Sequence, residues 1–292
     1  MQTKTALAGK KKPDTFKAVK IVVSVIFGIY ALSLVVPVVW GLLVSVTSRD
    51  FFMLNGFQKF PTAFDFANYV RAFQNLSVGG SNFFDMIFNS IWFAVGSAAL
   101  TILISTATAY AAARYKFLGG KLVYWAAIIS VMVPIPNNLP ALFRFVGMTG
   151  IYDTPFMIIT QMSGIGFNFI VLYSFYRNMS DFYAEAACID GASHWCIFRT
   201  IYLPMTVPTM LALWLTMFIG YWSDPMFPLM FLPSFPTLAS GLHSYQLEIS
   251  RVPGAVPVFY ASLFISAIPV VVLFVLLRDK FMDLQISGGI KG

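Results

Sequence analysis

Residues 21–46 read IVVSVIFGIYALSLVVPVVWGLLVSV, 26 residues without a charge, directly behind Lys10, Lys11, Lys12, Lys17 and Lys20. A helix crossing a bilayer needs about 20 apolar residues. The apolar core of a cleaved signal peptide is only about 7–15 residues long and ends at a small-residue site. The stretch is therefore expected to be a retained first span. Five further apolar segments follow: Met86–Ala113, Leu122–Leu142, Thr154–Tyr176, Pro208–Leu232 and Val256–Leu277. Backbone groups in lipid must be satisfied within their own segment, so each is expected to be helical. The predicted class is an all-α integral membrane protein with six transmembrane helices.

Composition agrees. The chain of 292 residues is 58% hydrophobic and 11% charged, against roughly a quarter charged in soluble domains. Mean hydropathy is +0.76. Placing the N-terminus inside puts fourteen Lys and Arg on the cytoplasmic side. Five lie outside: Arg49, Lys59, Arg71, Arg144 and Arg251. That asymmetry is the positive-inside pattern, and it places both termini in the cytoplasm. The expected organisation is a cytoplasmic tail over 1–20, a six-helix domain over 21–277 with an inner loop at 178–204, and a cytoplasmic tail over 278–292. The outer loop Thr47–Asp85 has room for short interfacial helices, and Pro233–Ala255 reads as a second outer loop.

The net charge of +7 is spread between apolar runs and makes no basic footprint for nucleic acid. Cys188 and Cys196 make no disulfide framework or zinc pattern, and on an inner loop they are expected to be reduced. His194 and His243 are isolated. No phosphate-binding Gly-x-x-x-x-Gly-Lys-Ser/Thr loop occurs, nor any nucleophile–base pair, so the chain is expected to be no enzyme and to hold no cofactor or metal.

Polar residues inside the segments are Asn89, Asn137, Asn138, Gln161, Asn168, Trp222, Ser223 and Asp224, with Pro134, Pro136, Pro140, Gly164, Gly166, Pro225 and Pro228 among them. Polar groups at membrane depth are costly and tend to face a bundle interior or an aqueous path. The first eight are the candidate pathway residues. Hydrogen bonding between neighbouring helices is the competing role for any one of them.

The inner loop carries the most specific signal. Residues 185–204 read EAACIDGASHWCIFRTIYLP. Gly191 suits the left-handed end of a short helix. Trp195, Phe198 and Ile201 fall on one apolar stripe, and Leu203-Pro204 is expected to end the unit before the fifth span. Such a helix–turn–helix is a plain connector or a docking element seated in a partner's groove. The stretch resembles the EAA loop of permease subunits of binding-protein-dependent ABC importers: Glu185, Ala186, Ala187, Gly191, Ile201, Leu203 and Pro204 fill every place of that pattern. Asp190-Gly191-Ala192 resembles its carbohydrate-uptake subfamily, the maltose-type importers. Shorter matches in order include Asn68-Tyr69, Asn89-Ser90, Ala109-Tyr110-Ala111, Arg114, Phe117, Gly119, Met132-Val133-Pro134, Trp222, Pro228-Leu229 and the tail Gly289-Ile290-Lys291-Gly292. Six helices with both ends inside is similar to the shorter maltose-type permease. The subfamily has Trp-Asn and a nearby Phe in helix five, where this chain has Ser223 and Pro225 flanking Asp224.

The resemblance implies the type I ABC importer permease fold in the bacterial cytoplasmic (inner) membrane. It implies a coupling site at Glu185, Ala186, Ala187, Asp190, Gly191, Ala192, Phe198, Ile201, Leu203 and Pro204. The partners it implies are a second related permease, two ATPase subunits that bind ATP and magnesium, an extracytoplasmic solute-binding protein, and a sugar or oligosaccharide. A permease for another solute, such as a phosphodiester or peptide, is the first alternative. A self-sufficient channel or carrier would leave the EAA pattern unexplained, and a membrane enzyme lacks a catalytic constellation.

Overall fold

The computed structural model describes residues 15–115, 117, 119–133, 139–249 and 252–289. The described residues form helices joined by short connections, with isolated bridges at Thr47–Phe64 and Val78–Ser81. In chain order the α-helices are α1 (Thr15–Ser45), α2 (Arg49–Asn55), α3 (Ala67–Asn75), α4 (Phe83–Arg114), α5 (Gly120–Met132), α6 (Leu139–Thr149), α7 (Phe167–Asn178), α8 (Phe182–Ile189), α9 (His194–Ile197), α10 (Leu203–Ser223), α11 (Met226–Phe231), α12 (Leu238–Ile249) and α13 (Val256–Gly289). Among the described residues, four stretches are long and apolar enough to cross a membrane: Val19–Ser45, Phe83–Arg114, His194–Ser223 and Val256–Arg278. They correspond to the first, second, fifth and sixth expected segments.

The third and fourth segments are not continuous helices. Val133 is extended at the end of α5, because the residue before a proline is pushed out of the α region by the ring; Pro134 follows. Residues 134–138, which include the candidates Asn137 and Asn138, lie outside the described residues. The fourth segment begins as a 3-10 turn, Pro155–Gln161, breaks, and resumes as α7. Gly166 at the break has φ +147°, a conformation that glycine alone adopts readily.

Helix α4 is the centre of the bundle and packs most extensively on α7 and α10. Its buried face carries Ser90, Ala94, Ser97, Ala98, Thr101 and Ser105. Small residues let helix backbones approach, which replaces the hydrophobic drive that lipid cannot supply. These hydroxyls also make the broken segment tolerable at membrane depth. The Thr101 hydroxyl sits 2.8 Å from the Gln161 carbonyl, and Ser105 donates to that of Ser163 at 2.6 Å. Freed backbone groups are thus met by neighbouring side chains instead of by lipid. At Gly164 an added methyl would lie 3.2 Å from the Thr108 hydroxyl and 3.3 Å from Ile104.

Both segments expected as outer loops contain helices. Asn68, 1% exposed, donates from Nδ2 to the carbonyls of Ser45 and Thr47 at 3.0 and 2.8 Å, and the Tyr69 hydroxyl meets that of Ser45 at 2.9 Å. The pair ties α3 to the C-terminal end of α1. Arg71 pairs with Asp65 at 2.6 Å, and that hydrogen bond holds the Asp65 carboxyl below its usual range. The expected loop at 233–255 instead contains α12, packed against α4 and α13. Its entry is pinned by Ser90, whose hydroxyl accepts from the Leu238 N–H at 2.7 Å.

Helix α1 stands apart. None of its apolar window is buried, and it meets the body near its C-terminal end, where Gly41 comes close to Tyr260 and Phe264 of α13.

Candidate functional site

The residues between α7 and α10 build one compact unit. Helix α8 ends in a Schellman turn: the Ala192 N–H bonds the Ala187 carbonyl at 2.9 Å and the Gly191 N–H bonds that of Cys188 at 3.0 Å. This pairing requires a left-handed residue after the helix, and Gly191 has φ +79°. Ser193 then caps α9, its hydroxyl accepting from the Cys196 N–H at 3.3 Å.

The unit does not stop at Leu203-Pro204. Helix α9 continues through a π turn, Phe198–Tyr202, into α10, so His194–Ser223 is a single 30-residue helix. The cause is Pro204. It has no N–H, and its ring would clash with the carbonyl one turn back. The wider turn relieves this, with the Leu203 N–H bonding the Phe198 carbonyl five residues back. The Thr206 hydroxyl donates to the Tyr202 carbonyl at 2.7 Å.

The expected stripe of Trp195, Phe198 and Ile201 is split. Phe198 and Ile201 pack with Ala187 and Ala192 on a buried cluster that includes Tyr110, Tyr176, Ile197 and Tyr202. Trp195 is 68% exposed, and the buried partner in its place is Ile197. The Tyr110 ring lies 4.5 Å from Phe198 and 5.4 Å from both Tyr176 and Tyr202. Glu185, Asp190, Gly191 and Pro204 are exposed, while Ala186 and Leu203 are half-buried. Phe182, Tyr183, Ile189 and Trp195 also face outward, Ile189 at 86% exposure.

One residue ties this unit to the bundle without having been a sequence candidate for the site. Arg114, the last residue of α4, is 11% exposed and forms an ion pair with Asp181. Its second terminal nitrogen donates to the Met179 carbonyl at 2.7 Å, and its guanidinium lies 4.6 Å from the centre of the Tyr202 ring. The sequence signal was an arginine closing a long apolar segment.

The pathway candidates do not form one group. Asn89 is buried and fully engaged: it donates to the Pro236 carbonyl at 3.1 Å and accepts from the Trp92 indole at 3.2 Å. Its role here is to hold α12. Gln161 is half-buried at the broken segment; beside it Thr101 meets the Tyr221 hydroxyl at 3.1 Å. Asn168, 8% exposed at the start of α7, has its Oδ1 without a hydrogen-bond partner among the described residues. Trp222 and Ser223 line a cavity of about 430 Å³ together with His243 and Gln246 of α12. The Trp222 indole donates to the Ser266 carbonyl at 3.1 Å. Asp224 accepts from the backbone N–H groups of Met226 and Phe227 at 2.9 and 3.4 Å, so its carboxylate opens α11. Among the described residues no three His, Cys, Asp or Glu converge as a metal site.

The family described as "Binding-protein-dependent transport system inner membrane component" matches residues 104–285. That span covers the broken segment, the Schellman-turned unit and the long helix that follows it. The chain belongs to this family. It is therefore a multi-pass inner-membrane permease component of an ABC transport system and not an enzyme, and membership implies a binding protein, an ATPase and a partner permease. The diacetylchitobiose uptake system permease protein NgcG of Streptomyces coelicolor is 29% identical over 68% of this chain and 65% of that protein, just under two thirds of its length. The maltose/maltodextrin transport system permease protein MalG of Yersinia pestis is 30% identical over 70% of each chain. Among solved structures, a chain from a bacterial ABC transporter involved in the import of the acidic polysaccharide alginate superposes with a TM-score of 0.78 at 20% identity, covering 93% of this chain and 99% of that one. The permease therefore has the type I ABC importer fold.

Proposed function

We propose that this permease is one half of the membrane pathway of an ATP-driven sugar or oligosaccharide importer, and that residues 178–204 are its coupling element. In this reading six spans cross the membrane with both termini in the cytoplasm. The third span is built from the α5 and α6 pieces, and the fourth from the 3-10 turn and α7. Two ATPase subunits hold ATP and magnesium, a second related permease completes the path, and an external binding protein delivers the solute. The sugar assignment is supported by the names of the relatives, which take up diacetylchitobiose and maltodextrins.

One observation carries the coupling role. Phe182, Tyr183, Ile189 and Trp195 are exposed apolar side chains on a unit whose backbone is fixed by the Schellman turn and whose buried side is packed on aromatic rings. Exposed apolar patches rimmed by polar residues mark interaction sites, and a short helix laid in a partner's groove is a common docking mode. Asp190, exposed at the turn, is available to meet a basic group of the ATPase. Movement at α9 enters α10 directly, because no break separates those two, and α8 is joined to them by the fixed Schellman turn.

The only two cysteines, Cys188 and Cys196, are exposed on this unit and supply the test. A membrane-impermeant maleimide applied to inside-out vesicles is expected to label them, and assembly with the ATPase subunits is expected to protect them. Labelling of intact right-side-out cells, or equal labelling with and without the ATPase, would overturn the reading. Ligand screening of the cognate binding protein against a glycan panel tests the solute class.

A further inference from the structure

A cleft of about 1230 Å³ lies where the end of α4, the start of α5, the end of α7 and the inner side of α8 meet. Three cations line it: Arg114, Lys121 and Arg177. Arg114 is committed to Asp181 and the Met179 carbonyl. Lys121 and Arg177 are exposed, and neither pairs with a carboxylate among the described residues. Ala112, Ala113 and Tyr173 form the apolar part of the wall, and Ala184, Glu185 and Cys188 form its α8 side. Two carboxylates, Asp181 and Glu185, also line it; Asp181 is taken by Arg114, so Lys121 and Arg177 face the single remaining carboxylate of Glu185 and the cleft keeps one positive charge in excess.

Its depth is fixed by its neighbours. The cleft opens at the charged ends of two apolar helices: Arg114 closes α4, and Lys121 starts α5. One turn along α5 from Lys121, Trp125 is 59% exposed beside the exposed Leu122. Tryptophan with a lysine at the end of an apolar helix marks the headgroup level of a bilayer. The geometry points to a binding site for the phosphate headgroup of an anionic phospholipid, held by Lys121 and Arg177, with its acyl chains on the apolar wall. Basic pockets between membrane helices recognise anionic headgroups in this way, each Lys or Arg near the surface adding affinity. The chain's own tails are poor occupants, since 1–20 and 278–292 carry more Lys and Arg than Asp and Glu.

This inference rests on the proposed reading only in setting that end of α4 at the cytoplasmic leaflet; headgroup binding itself is measured without reference to sidedness or to the ATPase. The purified full chain in mild detergent is titrated with phosphatidylglycerol, phosphatidylcholine and inorganic phosphate, and retained ligand is counted by native mass spectrometry. Phosphatidylglycerol is expected to be retained, and the other two are not. The Lys121→Gln/Arg177→Gln double variant is expected to lose roughly 30-fold in affinity, from two surface charges. The charge-preserving Lys121→Arg/Arg177→Lys variant is expected to keep most of it, which separates charge from misfolding. Equal retention of phosphatidylcholine, competition by inorganic phosphate at similar concentration, or unchanged binding by the Gln variant would each overturn the site. So would loss of bound phosphatidylglycerol on assembly with the ATPase, which would give the cleft to that protein instead.

Discussion

Substitution of Gly191 isolates the Schellman turn of the proposed coupling element from everything else in the permease. A side chain there meets no steric obstacle, since an added Cβ finds no atom within 4 Å. The whole cost comes from φ +79°, where a Cβ approaches the neighbouring carbonyl at about 1–2 kcal/mol. Gly191→Ala is therefore expected to lower the population of the intact turn by a factor of roughly 5–30. Gly191→Asn should cost less, because asparagine visits this region through local hydrogen bonds. Gly191→Pro cannot keep the turn: the ring fixes φ near −65° and removes the N–H that bonds the Cys188 carbonyl. Uptake in vesicles, normalised to permease in the membrane, and co-purification of the ATPase are the assays. The expected order is Gly, Asn, Ala, Pro, with proline abolishing both signals while the protein still inserts. Normal transport by the proline variant, or losses that simply follow membrane abundance, would refute the argument.

Arg114→Lys is expected to reduce uptake about as much as Arg114→Gln, because one ammonium cannot serve Asp181, the Met179 carbonyl and the Tyr202 face together; full rescue by lysine in an uptake assay would count against it. Gly164→Val is expected to destabilise the permease in detergent by about 1–3 kcal/mol through overpacking against Thr108 and Ile104, read as a lowered unfolding midpoint. Asp224→Ala removes the carboxylate that opens α11 and is expected to cost about 1 kcal/mol. It should alter uptake kinetics more than the yield of assembled complex, and Asp224→Asn should retain most of the function.

Long uninterrupted apolarity was enough to find the spans that α1, α4, α10 and α13 make, because hydropathy and length are the quantities the bilayer selects. It could not reveal where α5 and α7 are interrupted. Apolar content is the same for a helix and for a helix broken at Gly164–Gly166 whose carbonyls are met by Thr101 and Ser105 sixty residues away. The same long-range dependence hid α12. Its sequence is mixed and polar, and it becomes ordered against Ser90, Asn89 and Met86 of a distant helix. Gly191 was legible because a Schellman turn is a local requirement. Pro204 was misjudged because a proline can be absorbed by a wider turn as well as by a helix end. Arg114 was visible as a residue but its three partners were not, since they come together only once α7 folds back on α4.

The uninterrupted helix from His194 to Ser223 has a mechanical consequence. At 1.5 Å per residue it is a rod of about 45 Å, with the proposed motor contact at one end and the Trp222 cavity at the other. Tilting such a rod by only about 5° about its inner end carries Trp222 sideways by about 4 Å, more than the width of a water molecule. Under the proposed coupling role the helix is expected to act as a lever with a long arm, so that nucleotide-driven shifts too small to separate domains would suffice to open or shut an aperture across the bilayer.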